Sequence, residues 1–178
     1  MKKFILVLFS LGFLSVASAD VNVRLDPLGP LVGSYGVDVD FPVSSSWTLG
    51  PALRYLHRKD GDFDVSGYGL GIRGNYWFNG NVFTQGWYFG PLLQYIGVSV
   101  EDKHDDYDLE GSANGAGLTA FFGYQWMWES FNINLGAGPA LYTVNNVKVE
   151  DKDADEKRNY RGYSGAGLAL EFTLGWKF

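Results

Sequence analysis

The chain ends in the stretch Leu-Ala-Leu-Glu-Phe-Thr-Leu-Gly-Trp-Lys-Phe, residues 168–178, in which large apolar side chains occupy every even-numbered position. The odd-numbered positions carry small or polar residues, among them Glu171, Thr173 and Lys177. A period of two over this length is typical of a β-strand, because successive side chains of a strand point to opposite faces. The stretch therefore predicts a strand with one apolar face that ends in the aromatic Phe178.

The same alternation recurs upstream. Six further clear segments lie at residues 33–41, 47–55, 68–78, 87–95, 116–126 and 131–141. A shorter one at residues 21–25 turns back through Asp26-Pro27-Leu28-Gly29-Pro30. Bacterial single-chain membrane barrels use even strand numbers from eight upward. We predict an all-β fold, a closed antiparallel eight-stranded transmembrane β-barrel.

The N-terminus has the pattern of a secretory signal. Lys2 and Lys3 precede an apolar run at residues 4–16, and Ala17-Ser18-Ala19 provides small residues for cleavage. The alternative is a membrane anchor, but the run is shorter than the roughly 20 residues of a spanning helix. We expect residues 1–19 to be a cleaved signal peptide and residues 20–178 to be the barrel.

Composition narrows the function further. The sequence has no cysteine, which leaves neither disulfides nor thiolate metal sites. Without Lys2 and Lys3 the chain carries 12 basic and 20 acidic residues, a net charge of −8. Nucleic-acid binders carry basic patches, so this balance argues against a nucleic-acid partner. We find no cofactor motif or metal cluster in the sequence.

The connections alternate in length. Turns near residues 42–46, 79–85 and 128–130 are short, whereas loops at residues 58–66, 101–112 and 145–161 are longer and charged. Short turns belong on the periplasmic side of an outer-membrane barrel and longer loops outside, which puts both termini in the periplasm. The predicted acidic outer loop contains Asp102, Asp105, Asp106, Asp108 and Glu110.

Aromatic residues support this orientation, because membrane barrels carry aromatic girdles at their interfaces. All six tryptophans fall at strand ends on the periplasmic side. The predicted girdle comprises Trp47, Trp87, Trp126, Trp128, Trp176 and Phe178. Trp77 differs from the other tryptophans because the alternation points it inward, where it would plug the barrel floor. A soluble barrel would turn its apolar face inward and expose a charged face to water, but the non-apolar face here consists mainly of Gly, Ala, Ser, Thr and Asn with few charges.

On these residues the mature chain resembles the small eight-stranded outer-membrane barrels, the group of the OmpA transmembrane domain, OmpX and OmpW. The resemblance rests on the terminal Trp176-Lys177-Phe178, the even strand count and the aromatic rim. It implies residence in the outer membrane of a Gram-negative bacterium and insertion by the barrel assembly machinery, which reads the last strand. It also implies contact with outer-membrane lipids and lipopolysaccharide.

Charged residues on the inward positions form the first candidate site. They are Arg24, Asp38, Asp40, Arg54, Arg73, Glu171 and Lys177. One interpretation is a salt-bridge network that neutralises buried charge. The other is a gated ion path, which the many inward glycines favour because they leave room for water. Eight-stranded interiors are just wide enough for side chains to fill, which favours the network.

The loops offer weaker candidates. Asp60, Asp62 and Asp64 alternate as at the start of a calcium loop, but the required glycine and closing glutamate are missing. His57 and His104 lie at the outer strand ends, and a catalytic triad would need one of the nearby serines, Ser66, Ser99 or Ser112. We assign no catalytic residue and no metal ligand.

Three functions follow. The leading hypothesis is a non-enzymatic protein that supports envelope integrity or contacts an external surface partner through its acidic loops. The second is a narrow, porin-like channel for ions or small solutes. The third is a lipid A-modifying enzyme.

Overall fold

The computed structural model describes residues 20–104, 107–151 and 156–178. It contains nine strands, which are β1 (Asn22–Leu25), β2 (Ser34–Pro42), β3 (Trp47–Asp60), β4 (Phe63–Trp77), β5 (Gly86–His104), β6 (Tyr107–Trp128), β7 (Phe131–Asp151), β8 (Glu156–Tyr160) and β9 (Tyr163–Lys177). A short 3-10 helix, Gly29–Val32, connects β1 to β2. In these residues no helix has the length and apolar character needed to cross a membrane.

The strands close into a ring of eight. Strands β1 to β7 pair in chain order, β9 pairs with β7, and the pairing of β1 with β9 closes the barrel. β8 extends the ladder of β7 beyond the ring. Followed from Leu174 around all eight strands, the register returns to Ser164, ten residues earlier on β9. Such a stagger tilts the strands of a barrel. The predicted closed antiparallel eight-stranded barrel is confirmed.

The outer face of the ring is apolar, and the inner face is mostly polar or small, apart from buried large side chains such as Trp77, Leu92 and Phe121. Outward Leu49, Leu70 and Leu93 are 48, 55 and 59 % exposed, whereas inward Thr48 and Asn75 are buried. A continuous exposed belt of leucines is unusual for a protein surrounded by water. The belt has the pattern of a lipid-facing surface.

The predicted aromatic girdle lies on this outer face at one end of the barrel. Its members are 36 to 78 % exposed. Ring contacts connect them to neighbouring aromatics, for example Trp87 with Phe122 at 5.1 Å and Trp176 with Phe131 at 5.0 Å. The short turns and both ends of residues 20–178 lie at the same end, since Val21 and Phe178 exchange backbone hydrogen bonds.

At the other end of the barrel, the prediction of three loops is wrong. Where the structure describes them, residues 58–66, 101–112 and 145–161 are mostly strand. β3 and β4 pair up to Asp60 and Phe63, and β5 and β6 pair up to His104 and Tyr107. In Val147-Lys148-Val149-Glu150 charged residues alternate with β-branched ones, which is a pattern of strands. We call this extension of β3 to β8 beyond the ring, residues 57–66, 98–114 and 145–160 as far as the structure describes them, the hairpin wall.

Polarity is reversed in the hairpin wall. Its inward positions carry half-buried apolar residues, which are Val65, Val98, Val100, Leu109, Val147 and Val149. Its outward positions carry Asp64, Ser66, Ser99, Glu101, Glu110, Ser112, Lys148 and Glu150. A register shift between Ser112 and Asn114 keeps the β7 valines inward.

Candidate functional site

Arg24 lies at the centre of a polar cluster that crosses the lumen. Its Nε donates to Asp40 Oδ2 at 2.8 Å and its Nη2 to Asp40 Oδ1 at 3.1 Å. Its Nη1 donates to Glu171 Oε1 at 2.8 Å. A two-pronged contact of this kind fixes both geometry and charge. One guanidinium on β1 therefore connects β2 to β9.

A second arginine reaches the same glutamate from the other side of the barrel. Arg73 Nη2, on β4, donates to Glu171 Oε2 at 2.7 Å, and Tyr88 Oη donates to the same oxygen at 2.7 Å. Arg73 Nη1 also donates to Asp38 Oδ2 at 3.4 Å. Side chains from four strands thus meet at mid-lumen.

Arg54 completes the set of charges. It lies within hydrogen-bond distance of both oxygens of Asp38, at 2.5 and 3.1 Å, and its side chain is 29 % exposed. Arg24, Arg73, Asp38, Asp40 and Glu171 are at most 6 % exposed. Three arginines face three carboxylates, so the cluster has no net formal charge. We call these six residues the lumen network.

Amide side chains extend the lumen network towards the girdle end of the barrel. Asn75 Nδ2 donates to Asp40 at 2.9 Å, and Asn22 Nδ2 donates to the same carboxylate at 3.3 Å. Asn132 then donates to Asn22, and Asn134 to Asn132. These amides, like Tyr88, lie at inward positions of the alternation. A search confined to charged residues missed them, although the same alternation locates them.

Glycines make room for the large inward side chains rather than for water. A Cβ added at Gly123 would lie 2.5 Å from Tyr88 Oη, and one at Gly136 would lie 3.2 Å from both Tyr88 Oη and Glu171 Oε2. A Cβ at Gly175 would lie 2.9 Å from Arg24 Cγ. The expectation that inward glycines leave water-filled space is wrong at these positions, because tyrosine, glutamate and arginine occupy it.

Apolar layers lie on both sides of the network. Towards the girdle end, Trp77 is 2 % exposed and packs against Phe83 and Tyr88, with ring centroids 6.0 and 6.1 Å apart. Trp77 therefore points inward and forms a floor, as predicted. On the other side, buried Leu92 and Phe121 pack together with Ala52 and Ala169. The guanidinium of Arg73 lies 4.9 Å from the Phe121 ring centroid.

Of the seven inward charges predicted from sequence, Lys177 is the exception. Its Nζ donates to Asp20 at 3.3 Å, and both side chains are partly exposed at the end of the barrel. Lys177 lies opposite Asn22, the last residue pair of β1 and β9, where solvent reaches its ammonium group. Its assignment to the network of lumen charges is therefore wrong.

The acidic loop does not form one surface. Asp102 follows the inward alternation of β5, whereas Glu110 lies outward on β6, in the row of Asp64, Glu101 and Glu150. Asp105 and Asp106 lie outside the described residues, as does the side chain of Asp108.

The candidate triad is incomplete in the described residues. His57 Nδ1 lies 3.4 Å from Asp64 Oδ1, and Ser66 is the cross-strand neighbour of His57. No hydrogen bond between His57 and Ser66 is present, although both residues are described. An open groove of about 660 Å³ beside them is lined by Ser66, Ser99, Ser112, Tyr68, Asn114 and Lys148, among others.

The comparison with protein families gives a match over almost the whole chain. The model of the family described as "Protein of unknown function (DUF3575)" matches residues 4–174. The chain belongs to this family. The search of curated proteins found no match.

Solved structures share the fold. A major outer membrane protein from Thermus thermophilus superimposes with a TM-score of 0.53 and 12 % identity, covering 90 % of this chain and 98 % of that one. The N-terminal β-barrel domain of Pseudomonas aeruginosa OprF gives a TM-score of 0.46 at 12 % identity, covering 89 % and 97 %. The likeness to the Thermus protein shows a fold shared with an outer-membrane barrel. The protein thus has the fold of a small eight-stranded outer-membrane barrel.

Proposed function

We propose that the protein is a non-enzymatic, solute-tight barrel of the outer membrane that supports envelope integrity and presents its hairpin wall to external partners. The observation that carries this proposal is the lumen network. Three arginines and three carboxylates, most of them fully buried, connect β1, β2, β3, β4 and β9 across the lumen.

Energetics support a structural role for the lumen network. Removing one partner of a buried ion pair leaves an uncompensated charge at a cost of about 3–5 kcal/mol. Opening a pore through these residues would break several such contacts at once. With the Trp77 floor on one side and the Phe121 layer on the other, the interior has no need of solvent to satisfy these charges.

Conductance distinguishes this proposal from a channel. The purified full chain in planar bilayers should show no unitary currents above the noise of the empty bilayer. Reproducible currents that change with charge reversal at Arg73 or Glu171 would instead establish a channel through the network. The matched control is reversal at Lys177, which lies outside the network.

We further propose that both termini face the periplasm and that the hairpin wall projects outward. The girdle at the terminal end and the charged wall at the other end support this orientation. The chain lacks cysteine, so Ser99→Cys in the wall and Ser44→Cys in the β2–β3 turn each introduce a single thiol. A membrane-impermeant maleimide should label only Ser99→Cys on intact cells. Labelling of Ser44→Cys alone would reverse the orientation.

Export and insertion belong to the same proposal. A signal peptide at residues 1–19 requires that the mature protein begin at Asp20, which intact-mass measurement of the membrane-extracted protein tests. Recognition of the last strand by the barrel assembly machinery is expected to require the terminal aromatic residue, Phe178. Phe178→Ala should therefore lower the amount of folded barrel in the outer membrane, whereas Phe172→Ala, also outward on β9, should lower it less.

The wall is the proposed contact surface towards lipopolysaccharide and other partners. Its outward row of Asp64, Glu101, Glu110 and Glu150 crosses four strands at the charged end of the barrel. Deleting residues 102–110 should lower resistance of the envelope to detergents or abolish surface binding while the barrel still inserts. If envelope resistance and surface binding were both unchanged, the proposal that the hairpin wall is the contact surface would be contradicted.

The enzymatic alternative is tested separately. Mass spectrometry of lipid A from cells that overproduce the protein should show the same species as cells without it. A new species that disappears with His57→Ala, but not with a His104→Ala control, would establish an enzyme.

A further inference from the structure

Strand β9 is paired along one edge but along only a short part of the other. β7 pairs with it from Tyr163 to Trp176, whereas β1 pairs with it only from Leu174 to Lys177. All residues of this region are described, and no backbone hydrogen bond joins residues 163–173 to β1, to β2 or to the connection between them. The outer two thirds of β9 therefore form an open edge within the barrel wall.

The direction of the unpaired groups follows from the end of the strand. The backbone N–H and C=O of Phe178 both bond to Val21, at 2.8 and 3.1 Å, whereas the N–H of Lys177 bonds to Ser130 at 2.7 Å. Backbone groups alternate in direction along a strand, so even-numbered residues of β9 face the open side. They are Ser164, Ala166, Leu168, Leu170 and Phe172. Each presents a donor and an acceptor without a strand beside it.

Side-chain exposure points to the same opening. Outward Leu168 and Leu170 on β9 are 74 and 78 % exposed. Leu118 and Leu135, outward on strands with two neighbours, are 48 and 53 % exposed. The extra exposure on β9 is the area that a flanking strand covers elsewhere in the ring.

β1 ends early for a local reason. Pro27 and Pro30 supply no backbone donor, and the chain turns at Gly29–Val32 towards β2 and β3, where His57 N donates to Gly33 O at 2.8 Å. Beside β9 the strand that would continue β1 is therefore absent, and paired strands lie about 4.8 Å apart. Leu31, in the connection that follows β1, is 81 % exposed.

The chemistry of the opening selects among occupants. An acyl chain suits Leu168 and Leu170 but leaves the backbone groups unpaired, and open edges do not occur in hydrocarbon. A second copy fits poorly, because a twofold axis along the membrane normal makes two strands tilted by about 35–45° cross instead of pair. An extended peptide satisfies the backbone groups in the way that a continuation of β1 would.

We propose that the open edge of β9 is a strand-addition site for an uncharged, extended polypeptide segment with apolar side chains at alternate positions. Its backbone pairs with the even-numbered residues from Ser164 to Phe172, and its apolar side chains continue the lipid-facing belt. Main-chain pairing of this kind gives affinity, and the alternating side chains give selectivity.

The test uses the full chain, labelled with ¹⁵N in detergent micelles, and a synthetic peptide copying residues 114–124 of β6, a stretch without proline or charge. Without peptide, the even-numbered amides of residues 164–172 should exchange with solvent at least tenfold faster than the odd-numbered ones. With peptide, their exchange should slow at least tenfold. A nitroxide on the peptide should broaden their resonances and not those of β5.

A pair of variants separates edge pairing from side-chain contact. Leu168→Pro removes one donor from the open edge without touching the ladder to β7, and it should abolish the protection by peptide. Leu168→Ala keeps the donor and should retain the protection. Even-numbered amides already as protected as the odd ones would overturn the proposal. So would broadening by a nitroxide-labelled lipid or second copy in place of the peptide.

Discussion

The barrel and the hairpin wall are built from the same strands but reverse their polarity. On β5, Leu93 faces outward from the barrel and Ser99 outward from the wall, while the inward side changes from the polar Gln94 to Val98 and Val100. The backbone ladder continues without interruption between the two regions. The two regions differ in which face, outward or inward, carries the apolar side chains. We propose that the reversal marks the level at which the outer face passes from lipid to water.

The largest expected contrast concerns buried against exposed carboxylates. Glu171→Gln removes the carboxylate that Arg24 and Arg73 share, which leaves the lumen network with one uncompensated positive charge, and should lower the free energy of unfolding by about 3–5 kcal/mol. Glu101→Gln in the wall should change it by less than about 1 kcal/mol, since ion pairs of partly exposed side chains contribute little. Urea unfolding in phospholipid vesicles, followed by tryptophan fluorescence, measures both. Equal losses would contradict the distinction between the regions.

A charge introduced on the outer face should locate the boundary between the lipid-facing belt and the hairpin wall. Leu93→Arg places a charge in the lipid-facing belt and should cost about 2–4 kcal/mol of unfolding free energy. Ser99→Arg, six residues further along the same face of β5, should change it by less than about 0.5 kcal/mol. The same urea titrations provide the values. A cost above about 2 kcal/mol at Ser99 would move the boundary into the wall.

The cost in unfolding free energy of adding a methyl group inside the two regions should differ by a smaller amount. Gly123→Ala forces a Cβ against Tyr88 and should cost about 1–3 kcal/mol. Gly111→Ala in the wall, whose Cβ would have its nearest neighbour at 3.8 Å, should be within about 0.5 kcal/mol of the wild type. A neutral Gly123→Ala would mean that Tyr88 moves freely in the lumen, against a filled interior.

Sequence alone revealed the barrel because its physical signal is simple. Alternation located the strands, gave the inward direction of Trp77 and brought six of the seven inward charges together. The assignment of Lys177 to the lumen network was wrong, because alternation gives the direction of a side chain but not its position along the barrel axis. The prediction of loops in place of the hairpin wall was wrong for a related reason. The number of charged residues suggested loops, but charges that alternate with valines, as in residues 147–150, also indicate a strand.

The pairing partners also lay beyond the sequence. Whether Glu171 reaches Arg24, Arg73 or both depends on the ten-residue stagger around the ring, which no local pattern encodes. The open edge of β9 depends on a strand that ends at Leu25, and a turn signal at Pro27 does not indicate what lies beside β9.

The most direct test of the polarity reversal is a single-cysteine scan along β5, with a nitroxide at each position from residue 91 to residue 102. Collision rates with oxygen and with a water-soluble nickel complex distinguish lipid from water at each site. Outward positions up to Gly97 should favour oxygen and those from Ser99 onward the nickel complex. A nickel-accessible Leu93, or an oxygen-accessible Glu101, would contradict it.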